Sequence, residues 1–182
     1  MKPLLAAALA AAALSATPAR ASEFFVNGKL GYLWPSGNVL QAGGNFGQVP
    51  SKVYWEVGAG LHASVLGLEL TGGRFSSTNS NLNLTISTVP LLLAVQLRIP
   101  IPVITPYVEV GGGAFFNKAE IPGAFSESHT TWGYVLGGGV DIRIEFLLLG
   151  AEARYLSADA GIPGVTLRVD SATLTGKVGF FL

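Results

Sequence analysis

The chain has 182 residues, of which 12% are charged and 24 are glycine, with a mean hydropathy of +0.49. That length suits one domain, and that composition disfavours both a disordered tail and an ordinary charged soluble domain. Eleven basic residues balance eleven acidic ones, so there is no cationic excess for nucleic acid to use, and the lack of cysteine excludes disulfide scaffolds, thiolate zinc sites, iron–sulfur clusters and a lipidated N-terminal Cys.

Lys2 precedes an apolar run of Leu and Ala from Leu4 to Leu14, and Ala19-Arg20-Ala21 places small residues in an A-x-A arrangement. This pattern predicts a secretory signal peptide over residues 1–21, cleaved after Ala21, and a single mature domain over residues 22–182. The run is too short to cross a bilayer as a helix, which takes about twenty apolar residues. Cleavage removes Lys2 and Arg20 and leaves nine basic against eleven acidic residues.

Beyond Ala21 the apolar residues alternate with polar or small ones, the period of a strand with one apolar face. The first predicted strand, Phe24–Trp34, carries Val26, Leu30 and Tyr32 on one side and Asn27, Lys29 and Gly31 on the other. Tyr54–Val65 sets Trp55, Val57 and Leu61 against Tyr54, Glu56 and His62, and Leu66–Phe75 sets Leu68 and Leu70 against Glu69 and Thr71. Val89–Ile99 is the clearest case, with Leu91, Leu93, Val95 and Leu97 opposite Gln96 and Arg98. A fifth segment has Val108, Val110 and Phe116 opposing Tyr107 and Glu109, and a sixth has Trp132, Tyr134, Leu136, Val140 and Ile142 opposing Asp141 and Arg143. In the seventh, Leu147, Leu149 and Tyr155 oppose Glu152 and Arg154; in the last, Leu174, Val178 and Phe180 oppose Thr173, Thr175 and Lys177. Eight strands result, each near the length a tilted strand needs to span a bilayer.

The predicted connections alternate in length. Leu66-Gly67, Pro100–Pro106 and Ile144-Glu145 are short, whereas Ser36–Ser51, Ser76–Asn83, Lys118–Thr130 and Ser157–Val169 are long and polar. Short turns and both termini on the periplasmic side, with long loops outside, are the layout of an outer-membrane barrel. With this direction, Tyr32, Trp34, Trp55, Phe116, Trp132, Tyr134 and Tyr155 form an aromatic girdle at the outer end, and Phe24, Phe146 and Phe180 form one at the inner end. A soluble lipocalin-like barrel would turn the aliphatic rows inward, but the girdles and the scarcity of charge disfavour it.

Several segments carry a resemblance: Gly28-Lys29-Leu30-Gly31-Tyr32-Leu33-Trp34-Pro35-Ser36-Gly37, Val89-Pro90-Leu91-Leu92-Leu93, Pro106-Tyr107-Val108-Glu109-Val110-Gly111, and Gly133-Tyr134-Val135-Leu136-Gly137-Gly138-Gly139-Val140-Asp141. The chain resembles the small outer-membrane β-barrel proteins of Gram-negative bacteria, the OmpX/OmpW-like group, over essentially its whole mature length. The resemblance implies an all-β, eight-stranded, antiparallel up-and-down transmembrane barrel, with outer-membrane lipids, lipopolysaccharide and the barrel-assembly machinery as partners. It implies no single activity. That group usually ends on an aromatic residue read by the assembly machinery, whereas this chain ends Phe180-Phe181-Leu182.

Alternation points Lys29, Arg98, Arg143, Arg154 and Lys177 into the lumen together with Glu56, Glu69, Glu109, Asp141 and Glu152. Five cations against five carboxylates predict a closed, charge-paired network rather than an ion-selective pore, with Arg98 facing Glu109 and Asp141 level with Arg143. Inward glycines, among them Gly31, Gly58, Gly60, Gly111, Gly113, Gly137, Gly139 and Gly150, either leave a cavity in the outer half or permit close packing, and close packing is the favoured reading. Pro90 predicts a bulge, with a lateral gap as the alternative. His62-Ala63-Ser64 with Glu69 has the composition of an acyl hydrolase, yet a hydrogen-bonded lumen histidine is the favoured reading, and His129 is placed in solvent. No G-x-S-x-G, phosphate loop or zinc-spaced histidines occur, so neither a cofactor nor a metal is expected.

The expected function is that of a monomeric, non-enzymatic outer-membrane barrel with a structural or surface-interaction role, its loops offering Phe46, Phe125 and Ile162 as apolar contacts. Passive uptake of small hydrophobic solutes is the alternative, and lipid A-modifying acyl hydrolysis a more distant one.

Overall fold

The computed structural model describes residues 22–35, 52–79, 84–121, 125–162 and 165–182. These form β1 (Glu23–Pro35), β2 (Lys52–Ala63), β3 (Leu66–Asn79), β4 (Leu84–Arg98), β5 (Ile104–Ile121), β6 (Phe125–Ile144), β7 (Leu147–Ile162) and β8 (Val165–Phe181). Each strand pairs antiparallel with its neighbours in sequence, and β8 closes on β1. Closure satisfies the backbone polar groups that hydrocarbon cannot.

The register sets the tilt. A row of paired residues that starts at Phe24 passes through Leu61, Leu68, Val95, Val110, Leu136, Tyr155 and Ala172 and returns on Trp34, ten residues up the same strand. Such a stagger across eight strands inclines them by about 40° and leaves an interior that side chains can fill.

The pleat is turned inside out relative to a soluble barrel. Leu30, Leu91, Leu93, Val95, Val110 and Leu136 are exposed on the outer wall, while Glu69, Gln96, Glu109 and Glu152 are buried inside it. Trp34, Trp55, Phe116, Trp132, Tyr134 and Tyr155 all face outward near the end away from the Ser64-Val65 and Glu145-Phe146 turns. Phe24, Phe146 and Phe180 face outward at the other end, where Phe146 and Phe180 stack at 6.2 Å. Apolar rows bounded by two aromatic belts match a hydrocarbon slab about 25 Å thick.

Three expectations are corrected. The second connection is Ser64-Val65, not Leu66-Gly67, so Ser64 sits in a turn rather than in the lumen. Ser64 (φ 57°) and Glu145 (φ 53°) each take the left-handed conformation that a tight hairpin turn requires at its first position. The long connections predicted from polar composition are largely strand: Asn79 pairs with Leu84, Ile121 with Phe125 and Ile162 with Val165. Backbone pairing continues above the bilayer because a ladder in water needs no apolar row. The expected loop Ser36–Ser51, including Phe46, lies outside the described residues. Finally, Pro90 makes no bulge. The pairs Gly72–Leu91 and Phe75–Thr88 belong to one register, and the β3–β4 ladder is merely interrupted between them, at Gly73–Pro90 and Arg74–Val89. A proline has no N–H to donate there.

Candidate functional site in the barrel lumen

The inward rows stack in three tiers. Nearest the outer mouth, Leu33, Tyr54, Leu92, Phe115, Val135 and Leu156 form an apolar cluster, with Phe75 packed against it. Below it lies a sealed layer of charge. Arg154 reaches Glu56 at 2.7 Å, Glu152 at 2.7 Å and Glu69 at 3.5 Å, and also pairs with Glu109. Lys29 lies 3.1 Å from Glu69 and 3.0 Å from Glu152, with Glu56 at 4.0 Å. The carboxylate oxygens of Glu69, Glu109 and Glu152 come within 4.8 Å of one another, a spacing that could suit a metal ion, but the side-chain cations of Arg154 and Lys29 already bridge them.

Neutral side chains complete this layer. Asn27 donates to Glu69 at 2.7 Å, Gln96 donates to Glu69 at 2.9 Å and to Glu109 at 3.2 Å, and the Tyr54 hydroxyl donates to Glu56. Gln96 also accepts from Arg98 at 2.8 Å, which ties the layer to a second group below. There Arg98 pairs with Asp141 at 2.7 Å and Lys177 with Asp141 at 2.6 Å. Lys177 donates to the Tyr107 hydroxyl at 3.0 Å, and that hydroxyl donates to Glu152 at 2.6 Å. Asn27, Tyr54, Gln96 and Tyr107 were not among the expected network residues. Their signal was present, since each shares the inward parity of a charged neighbour on its own strand.

The third tier closes the periplasmic mouth. Phe25 and His62 rings lie 4.2 Å apart, and Phe181 stands 5.7 Å from His62. His62 is buried, and among the described residues its Nε2 has no hydrogen-bond partner, so the expected satisfied histidine has one ring nitrogen unpaired. Glu69 is committed to Asn27, Lys29, Gln96 and Arg154, and Ser64 lies in the turn, so these three residues form no acyl-transfer relay.

Nine of the ten expected lumen charges are buried: Lys29, Glu56, Glu69, Arg98, Glu109, Asp141, Glu152, Arg154 and Lys177. Arg143 is the exception. It shares the inward parity but stands at the rim with its side chain 40% exposed, paired with Glu23 and 4.3 Å over the Phe181 ring. The expected five-to-five balance is therefore four cations to five carboxylates among the described residues. The partners also differ from expectation: Arg98 takes Asp141, and Glu109 takes Arg154. Stagger between strands is the cause, because it brings Gln96 rather than Arg98 opposite Glu109.

The inward glycines make room for neighbours rather than a cavity. A Cβ on Gly113 would land on the Leu91 carbonyl oxygen, and one on Gly31 on that of Leu174. At Gly137 and Gly139 the space is taken by Arg154 and Tyr107, and at Gly150 by Asp141 and Lys177.

The sequence matches the profile of the outer membrane protein beta-barrel domain family over residues 4–180. The chain belongs to this family. This outer-membrane barrel of Gram-negative type is similar in fold to Neisserial surface protein A, at a TM-score of 0.69 and 15% identity over 88% of this chain and 99% of that one. It is also similar to the N-terminal β-barrel domain of Pseudomonas aeruginosa OprF, at 0.56 and 12% identity over 91% and 100%. A third likeness is to AlkL, solved in lipid bilayers, at 0.53 and 13% identity over 92% and 93%. At these identities the likeness is one of fold. No curated protein matches the sequence significantly.

Within this outer-membrane barrel the two arginines of the lower end, Arg98 and Arg143, are expected to differ sharply. Replacing Arg98 by Ala leaves the buried Asp141 beside a single cation and is expected to cost about 3 kcal/mol. Replacing the half-exposed Arg143 is expected to cost less than about 1 kcal/mol. Urea unfolding of the two variants in lipid vesicles measures both.

Proposed function

We propose that this barrel is a closed, lipid-embedded platform with a structural or surface-interaction role, presenting its outer hairpins to the exterior and passing no solute. The observation that carries this reading is the burial of the mid-lumen charge layer, where the side chains of Lys29, Glu69, Glu109 and Glu152 are 0% exposed. A conducting pore needs a hydrated path and commonly a ring of one sign, whereas opposite charges locked together across the axis block both. On this reading residues 1–21 are removed on export, the barrel-assembly machinery inserts the rest as a monomer, lipopolysaccharide surrounds its outer half, and the chain is no enzyme. The test is planar-bilayer conductance with liposome swelling: neither current nor sugar entry is expected, and steady conductance overturns the reading.

One observation favours a second reading, passive transfer of small hydrophobic solutes. The apolar tier adjoins the interrupted β3–β4 ladder, so a greasy guest there would stand next to a break in the wall's pairing. Uptake of a long-chain alcohol that falls in Pro90→Val, which restores a donor to the seam, supports transfer. Uptake no faster than through protein-free vesicles removes it.

A further inference from the structure

Among the side chains described, two cations face the lipid rather than the lumen: Arg74 and Lys118. Both stand at the outer end. At the opposite end the outward rows finish on Leu66, Leu97, Ile104, Ile142 and Phe180, all apolar. Arg74 registers directly with Trp55, so its guanidinium sits level with the outer aromatic belt, where headgroups meet hydrocarbon. No acidic side chain among the described residues pairs with it, and its outward neighbour on β4 is the apolar Val89. One row above, Ser76 registers with Ser87 and Ser87 with Lys118, which sets two serines and a lysine in one row across three strands. Directly below Arg74 on the same face is Gly72, where an added Cβ would meet only Leu91 Cδ1 at 3.9 Å. That missing side chain leaves a shallow notch in the apolar wall beneath the cation.

We propose that Arg74, with Ser76, Ser87 and Lys118, holds the phosphate of a phosphorylated outer-leaflet glycolipid of the lipid A type, with an acyl chain lying over Gly72. The planar guanidinium offers paired donors that match a phosphate, and the ammonium adds a point charge beside it. The notch gives the chain a seat in register with its own headgroup. The cations lie at one end only, which matches a membrane whose phosphorylated glycolipid is confined to one leaflet. The site deepens the proposed lipopolysaccharide contact, but it does not depend on a closed lumen, because Arg74 lies on the other side of the wall.

The full mature chain, folded into nanodiscs of phosphatidylcholine containing bisphosphorylated lipid A and phosphatidylglycerol, is extracted into mild detergent, and the lipids retained per barrel are counted by mass spectrometry. Lipid A is expected to be enriched over phosphatidylglycerol, and Arg74→Gln to lower its retention about tenfold, the effect of losing one charge-assisted pair. Lys118→Gln is expected to lower it less. Retention unchanged in Arg74→Gln overturns the proposal, as does equal retention of phosphate-free lipid A or of phosphatidylglycerol. Heat-modifiability on gels verifies that each variant is folded, and conductance, which Arg74→Gln leaves untouched, tells failure here from failure of the closed-lumen reading.

Discussion

Arg154→Ala is expected to prevent the barrel from reaching its folded form, or to destabilise it by at least about 3–5 kcal/mol, the range for stripping one partner from a buried ion pair. Arg154 is the hub of the lumen: Glu56, Glu69, Glu109 and Glu152 all pair with it, from four different strands. Without it Lys29 would be the only cation left in that layer, within 4.0 Å of Glu56, Glu69 and Glu152, and Glu109 would keep only the Gln96 amide. Arg154→Lys is expected to rescue little, because one ammonium cannot present the planar fork that reaches several carboxylates together. Arg154→Met combined with Glu56→Gln and Glu109→Gln is expected to recover most of the loss, since it removes charge of both signs together. Urea titration in phosphatidylcholine vesicles, read by tryptophan fluorescence and gel mobility, measures the series. A stable Arg154→Ala barrel would show that water reaches the centre of the lumen.

Gly113→Ala is expected to be nearly as damaging for a different reason. The added methyl would land on the carbonyl of Leu91, with the Leu92 Cα only 2.9 Å away, so the backbone of β4 must retreat and the β4–β5 ladder must open. Such a backbone displacement cannot be absorbed by a rotamer change. Gly28→Ala on the lipid face, where nothing lies within 4 Å, is the matched control and is expected to fold as the parent does. Filling the lumen at Gly111 would fail for the same reason as at Gly113, because its Cβ would meet the backbone of Leu93 and Ala94. Substitution of these glycines therefore tests packing and says nothing about flux. Gel mobility before and after heating separates folded from unfolded material in each variant.

Much of the barrel is legible in the amino-acid sequence. Alternation in Val89–Ile99 placed Leu91, Leu93 and Val95 on one face and Gln96 and Arg98 on the other, and the structure keeps that division. The period of a strand is a local property, so a linear reading recovers it. Alternation also assigns Arg143 to the network, because parity says which face a residue takes but not how high it stands along the axis. Polar stretches such as Lys118–Thr130 look like loops in the sequence because composition does not distinguish a solvated ladder from a solvated loop.

The amino-acid sequence by itself determined the eight-strand pattern, the two aromatic belts and the face on which each charge lies. Only the tertiary structure decided which charges meet. Partners around a closed barrel are set by its stagger, and a displacement of ten residues over one circuit is a sum of many register choices that no single segment records. That stagger moved Glu109 from Arg98 to Arg154, left Arg143 at the rim with Glu23, and brought Arg74 level with Trp55 on the outer wall. Side-chain direction is written in the local pleat, whereas meeting across the barrel depends on how every strand is set against the next.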